Sequence, residues 1–146
     1  MFAIIYTFEK TTIAIPWCIG ALALIAGFIL LRRPVDLRFK ILPFVIAIVA
    51  LGIFGPAMLK DKIEITSESF CLRTGFWWSQ TVHQFAFKDA HDIQVITRTN
   101  SKGRPSKYMR VTLKIGIYDD VPIGDLFHSH ESDILKAVTD AIDASG

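Results

Sequence analysis

The chain has 146 residues, of which 51% are hydrophobic, and its mean hydropathy of +0.40 is high for a soluble protein. Sixteen Lys and Arg residues against fourteen Asp and Glu residues give a net charge of +2. The surplus of basic residues lies in residues 1–59, and residues 60–146 are close to neutral. Nucleic-acid-binding domains are usually strongly basic, so the composition argues against that class.

The two cysteines do not form a disulfide framework. Cys18 lies in an apolar run and Cys71 in the more polar half, so we expect them at different depths. An unpaired Cys71 favours a reducing compartment.

Residues 11–31 carry no formal charge, and as a helix they would span about 30 Å, the thickness of the hydrocarbon core of a bilayer. A second charge-free run, residues 41–59, follows after a short connection. Two helices joined this closely form an antiparallel hairpin whose ends emerge on one side of the membrane. The sequence therefore predicts a membrane hairpin over residues 1–59, with spans at about 11–31 and 41–59.

The apolar residues 1–8 are too few to span a bilayer. We expect either an interfacial segment or an extension of the first helix past Lys10. The first run is too long for a signal peptide, lacks a basic segment before it, and is followed by a second span.

Small residues and prolines give the two spans local features. Ala23 and Gly27 form a small-xxx-small pair that admits another helix, which is either the second span or a partner. Trp17 is expected near the headgroups. Pro56 is expected to kink or end the second helix around Gly52.

From residue 60 the apolar period changes from helical to alternating, which predicts six or seven short antiparallel strands. Gly75 is expected to form a tight turn. Apolar residues at helical spacing then predict an amphipathic C-terminal helix with Ser129 or Ser132 as its N-cap. A curled sheet with a helix plugging one open end is the expected architecture of residues 60–146.

Two segments carry a family resemblance: IEITSESFCLRTGFW, residues 63–77, and FAFKDAHDIQVI, residues 85–96. With the preceding hairpin they resemble the bacterial pleckstrin-homology-like (PH-like) domains found on membrane proteins. The resemblance implies an α+β membrane protein: a two-helix transmembrane hairpin followed by a PH-like antiparallel β barrel or sandwich with a C-terminal helix. It also implies a binding or scaffolding module without catalytic residues, often facing the cytoplasm.

Phe76, Trp77 and Trp78 follow Gly75 at a predicted hairpin. Adjacent side chains of a strand point to opposite faces, so one tryptophan should be exposed. Such a residue would contact the bilayer interface or a partner, and the alternative is packing against the helix. We predict partner binding by Phe76, Trp77 and Trp78, together with Ala23 and Gly27.

A second candidate surface is a basic hairpin with no acidic residue between Asp92 and Asp119. Facing an anionic leaflet, it would bind lipid, and otherwise it is a solvated hairpin. The predicted lipid-binding residues are Arg98, Lys102, Arg104, Lys107 and Arg110, with Lys114 extending the same charge run.

No catalytic motif is present, and neither His83 nor His91 has a visible nucleophile or orienting acid. His128 and His130 would share one face of an extended chain but have no evident third ligand. No cofactor, metal or nucleic acid is expected.

The prediction is a non-enzymatic accessory or scaffolding subunit of a larger membrane complex, and the alternative is a reader of anionic lipid. We place it in the bacterial inner membrane. The loop charges Arg32, Arg33, Arg38 and Lys40 slightly favour a cytoplasmic loop. The resemblance, Cys71 and the basic hairpin instead favour a cytoplasmic soluble domain, and this orientation is the one predicted.

Overall fold

The computed structural model describes residues 3–146, which form two compact units. The helical unit contains Phe8–Asp61 and Thr74–Gln80. The sheet unit contains the residues up to Thr7, Lys62–Arg73 and Thr81–Gly146. The α+β class and the two long apolar helices agree with the sequence prediction.

The helical unit is built from α1, Lys10–Leu31, and a second helix that covers Leu37–Lys60. The second helix consists of α2, a π-helical turn and α3, with bounds Leu37–Val49, Ala50–Phe54 and Gly55–Lys60. The most apolar 18-residue window of each helix has a mean hydropathy of 2.4, yet only 22% and 17% of these two windows is buried. A core helix of a soluble protein would be mostly buried, so their exposure is that of helices able to cross a membrane.

Two glycines of α1 allow the helices to approach each other closely. A Cβ atom at Gly20 would overlap the side chain of Leu51, and one at Gly27 would lie 2.9 Å from the ring of Phe44. Gly27 therefore serves packing against the second helix inside the hairpin, which is one of the two uses expected from the small-residue pair.

The first sheet has the order β1-β2-β3-β4 and is antiparallel where its register is defined. Its strands are Ile4–Thr7, Lys62–Ile65, Ser69–Phe76 and Ser79–Ala86. The prediction of an interfacial segment or a helix extension is thus wrong for residues 4–7; Met1 and Phe2 lie outside the described residues. Strand β1 pairs with β2 from Ile4↔Ile65 to Thr7↔Lys62. Residues 8–61 therefore form an insertion whose two ends lie side by side in the sheet.

The second sheet is antiparallel, with the order β5-β6-β7. Its strands are Ala90–Thr99, Pro105–Leu113 and Tyr118–Pro122. A 3-10 turn, Phe87–Asp89, interrupts the chain between β4 and β5. The described strands form two sheets rather than the closed barrel that was one predicted form.

The core of the sheet unit joins both sheets to the C-terminal helices α4, Asp125–Ser129, and α5, Glu131–Ser145. Phe70 packs against Phe85 and Phe127, with ring centroids 5.2 and 6.4 Å apart. Helix α5 buries Ile134, Val138 and Ile142, as its apolar period predicts.

The predicted N-caps of the C-terminal helix are wrong. Helix α5 begins at Glu131, and His130 occupies the cap position without a side-chain cap hydrogen bond. Ser129 instead donates its hydroxyl to the carbonyl of Leu126 in the preceding helix, α4, which the sequence pattern did not predict.

Replacing Gly27 by leucine should destabilise the helical hairpin by about 1–3 kcal/mol, because the new side chain would overlap the ring of Phe44. Thermal unfolding in a mild detergent measures the effect. Ala26→Leu, on an exposed position of the same helix, is the matched control and should leave the midpoint nearly unchanged. Equal midpoints for both variants would contradict close packing at Gly27.

Candidate functional site

The three aromatic residues Phe76, Trp77 and Trp78, here called the aromatic tip, occupy the end of strand β3 and the turn before β4. They are 44%, 51% and 55% exposed, so both tryptophans are open to the surroundings. The Phe76 and Trp78 rings stack at 4.9 Å with 6° between their planes, and Trp77 stands edge-on to Trp78 at 5.2 Å. The three rings thus contact one another and form one exposed apolar surface.

Strand β3 runs through Gly75, and the turn follows two residues later than predicted. Gly75 has a φ of +117°, a conformation that residues with a Cβ atom rarely adopt. Its N–H donates to the Asp61 carboxylate at 3.1 Å. Burial raises the pKa of Asp61, and this hydrogen bond partly offsets that rise.

A hydrogen bond attaches the aromatic tip to the second helix. The indole N–H of Trp77 donates to the carbonyl oxygen of Gly52 at 2.9 Å. In a regular α-helix that carbonyl would accept from the N–H of residue 56, but residue 56 is proline and has none. Trp77 therefore supplies the donor that Pro56 removes from the helix.

The π-helical turn lies at the same place. The N–H of Gly55 donates to the carbonyl of Ala50, five residues earlier, so the helix is widened just before Pro56 and continues to Lys60. The predicted disturbance around Gly52 is therefore a π turn within a continuous helix rather than its end.

Trp17 of α1 also lies at this end of the hairpin. A Cβ atom at Gly55 would come within 3.0 Å of the Trp17 ring, so this glycine makes room for the indole. Both Trp17 and Trp77 are thus in contact with the Gly52–Gly55 segment. Ala23, the other residue of the small-residue pair, is half-buried on α1.

The basic hairpin is less positive than its sequence suggests, because β7 brings a carboxylate beside it. Arg110 pairs with Asp120 through two hydrogen bonds of 2.8 and 3.1 Å, and Arg98 lies 2.8 Å from the same carboxylate. Lys107 approaches Glu131 of α5 at 3.9 Å. Among residues 3–146, Lys102 and Arg104 have no carboxylate within 4 Å, and they occupy the turn between β5 and β6.

The hydrogen bond from Arg110 lowers the pKa of Asp120 despite partial burial. Arg110 also lies over the ring of Tyr118, with its guanidinium carbon 4.1 Å from the ring centroid. This cluster joins β6 to β7 and is best described as a structural ion pair.

The histidines are separated by the local fold. His128 pairs with Glu131 at 2.9 Å, whereas His130 packs against Tyr6 of β1 at 4.9 Å between ring centroids. His83 approaches Asp119 at 3.7 Å. In the part of the chain that the structure describes, no three His, Cys, Asp or Glu side chains are grouped so that they could hold a metal ion.

Sequence reasoning missed the role of Trp77 and the position of Asp120. The spacing Gly52-x-x-x-Pro56 does indicate a carbonyl without its α-helical donor, but not which side chain replaces it. Asp120 comes beside Arg110 only through the register of β6 with β7.

Comparison of the chain with protein-family models, with curated proteins and with solved structures finds no match.

Trp77→Phe should destabilise the helical unit by about 1 kcal/mol, because the Gly52 carbonyl loses its indole donor while an aromatic ring is kept. Pro56→Ala restores a backbone N–H four residues after Gly52, so the cost of Trp77→Phe should shrink in that background. Thermal unfolding of both single variants and the double variant measures the coupling.

Trp78→Phe is the matched control for this cycle, since the Trp78 indole makes no hydrogen bond within residues 3–146. Its cost should be the same with Pro56 and with Ala at that position. If Trp77→Phe costs equally in both backgrounds, the donor role of Trp77 is wrong.

The Asp120 carboxylate should make the sheet unit sensitive to acid. Its folded-state pKa lies below the unfolded value of about 3.9, so its stabilising contribution is complete above that pH and is lost as the pH falls through the folded value. Asp120→Asn should flatten the dependence of unfolding free energy on pH below about 4. An unchanged dependence in Asp120→Asn would contradict this role of the carboxylate.

Proposed function

We propose that this chain is an integral membrane protein and acts as a non-enzymatic accessory or scaffolding subunit of a larger membrane complex. The observation that carries the membrane assignment is the exposure of two long apolar helices whose flanking residues, Thr7 and Lys62, pair in one sheet. Soluble monomers rarely expose such a large apolar surface to water, because hydrating it is unfavourable. Contact with lipid hydrocarbon avoids that unfavourable hydration.

In this proposal the sheet unit is a PH-like domain with the membrane hairpin inserted between its first two strands. The seven strands found in residues 3–146, in sheets of four and three, and the amphipathic helix that follows them support this assignment. The domain is proposed to face the cytoplasm of a bacterial cell from the inner membrane. The free thiol of Cys71 supports a reducing compartment.

The aromatic tip is the proposed contact for the partner. Stacked aromatic rings supply a large, rigid apolar area, and tryptophan is enriched among residues that dominate binding energy. Trp77 is held by Gly52, and all three rings remain exposed, so Phe76, Trp77 and Trp78 together form the surface offered to a partner. A partner reaching this surface must itself lie close to the second helix, which supports a membrane protein as the partner.

The second candidate function is binding of anionic lipid by the basic hairpin. Lys102 and Arg104 favour it, because they are the predicted lipid-binding residues that have no carboxylate within 4 Å in the described chain. The pairing of Arg98 and Arg110 with Asp120 weakens it, since the carboxylate offsets one of their two positive charges and so lowers the attraction to a leaflet.

The first experiment is extraction of the tagged full chain in a mild detergent, followed by identification of co-purifying proteins. We expect a stoichiometric membrane protein, and we expect Trp78→Ala to lower its recovery about tenfold, as for an interface hot spot. Lys102→Glu/Arg104→Glu should leave that recovery unchanged.

Two results would overturn this proposal. Release of the chain from membranes by alkaline carbonate would show that its helices do not span a bilayer. Purification without any partner, together with loss of salt-dependent binding to anionic liposomes in Lys102→Glu/Arg104→Glu, would replace the scaffold by the lipid reader.

A further inference from the structure

A cavity of about 440 Å³ lies at the C-terminal end of α1, where the connection to α2 begins. Its lining consists of Ile25, Phe28, Ile29, Arg32 and Arg33. The lining therefore combines three apolar residues with two arginines that are adjacent in sequence.

Helical spacing produces this arrangement. Positions 25, 28, 29 and 32 recur at i, i+3, i+4 and i+7, which places them on one face of α1. The apolar members are exposed along the span, and the ring of Phe28 packs edge-on against Phe44 of α2 at 5.7 Å. The floor of the cavity is thus a fixed apolar strip within the proposed membrane span.

The arginines at its end are available for an anion. Within residues 3–146 neither Arg32 nor Arg33 has a carboxylate within 4 Å, and both are exposed. Their backbone N–H groups donate to the carbonyls of Ile29 and Leu30 and are not available to a ligand. The donors that a ligand could use are therefore those of the guanidinium groups. A guanidinium matches a phosphate through paired hydrogen bonds.

We propose that this cavity binds an anionic phospholipid. An acyl chain would lie along Ile25, Phe28 and Ile29, and the headgroup phosphate would bind Arg32 and Arg33. The apolar strip favours a lipid over free phosphate, because an acyl chain would cover the strip and remove its apolar surface from water, whereas free phosphate has no apolar part. The inference rests on the proposed membrane hairpin and concerns a site separate from the basic hairpin of β5 and β6.

The test compares binding of phosphatidylglycerol and of phosphatidylcholine with the same acyl chains to the full chain in an uncharged detergent. Native mass spectrometry counts bound lipid, and thermal unfolding reports stabilisation by the ligand. We expect phosphatidylglycerol to be preferred, and Arg32→Gln/Arg33→Gln to weaken its binding about tenfold or more through loss of charge-assisted hydrogen bonds.

Arg38→Gln/Lys40→Gln is the matched control. It removes the same charge at the start of α2, outside the cavity lining, and should weaken binding by about twofold at most through the longer-range field. Ile29→Ala should weaken binding of long-chain phosphatidylglycerol, and glycerol phosphate should compete poorly.

Equal losses in the two double variants would overturn the site, because they would reduce it to the general charge of the loop. Equal binding of the two lipids, or full competition by glycerol phosphate, would also overturn it.

Extraction with alkaline carbonate distinguishes failure of this site from failure of the membrane assignment. If the chain stays in the membrane and shows no lipid preference, only this site is wrong; if carbonate releases it, the membrane assignment fails as well.

Discussion

The pairing of β1 with β2 is the constraint on which the other parts of this structure depend. Thr7 and Lys62 are neighbours in the sheet, so the chain between them must return to its starting point. A single long helix could not do so, whereas two antiparallel helices of 22 and 24 residues can. The antiparallel arrangement of the two helices, with both outer ends at the same sheet, is therefore a consequence of strand pairing.

In the second helix, a residue distant in sequence supplies a hydrogen-bond donor that the helix backbone lacks. Pro56 deprives the Gly52 carbonyl of its α-helical donor, the helix widens into a π turn, and the indole of Trp77 supplies a hydrogen bond. An unsatisfied carbonyl is costly in a medium without water. The same bond fixes the position of the aromatic tip, so one interaction serves helix stability and the presentation of a surface.

The arginines of this protein differ in whether a carboxylate lies beside them. Asp120 takes up Arg98 and Arg110, which converts much of an apparently basic hairpin into a structural cluster. The arginines at the loop end of α1 have no such carboxylate in the described chain, and they adjoin an apolar cavity. This difference in environment separates the proposed anion site from the charges that pair within the sheet.

By itself, the sequence determined the two apolar helices, the strands from residue 62 onwards and the buried face of α5, because hydropathy and apolar period are local properties. Tertiary structure alone decided that Ile4–Thr7 is a strand, since its partner lies more than fifty residues away. It also decided that Asp120 pairs with two arginines and that Trp77 reaches Gly52. Each of these depends on a contact between distant residues, and no local pattern specifies which distant residue will be adjacent.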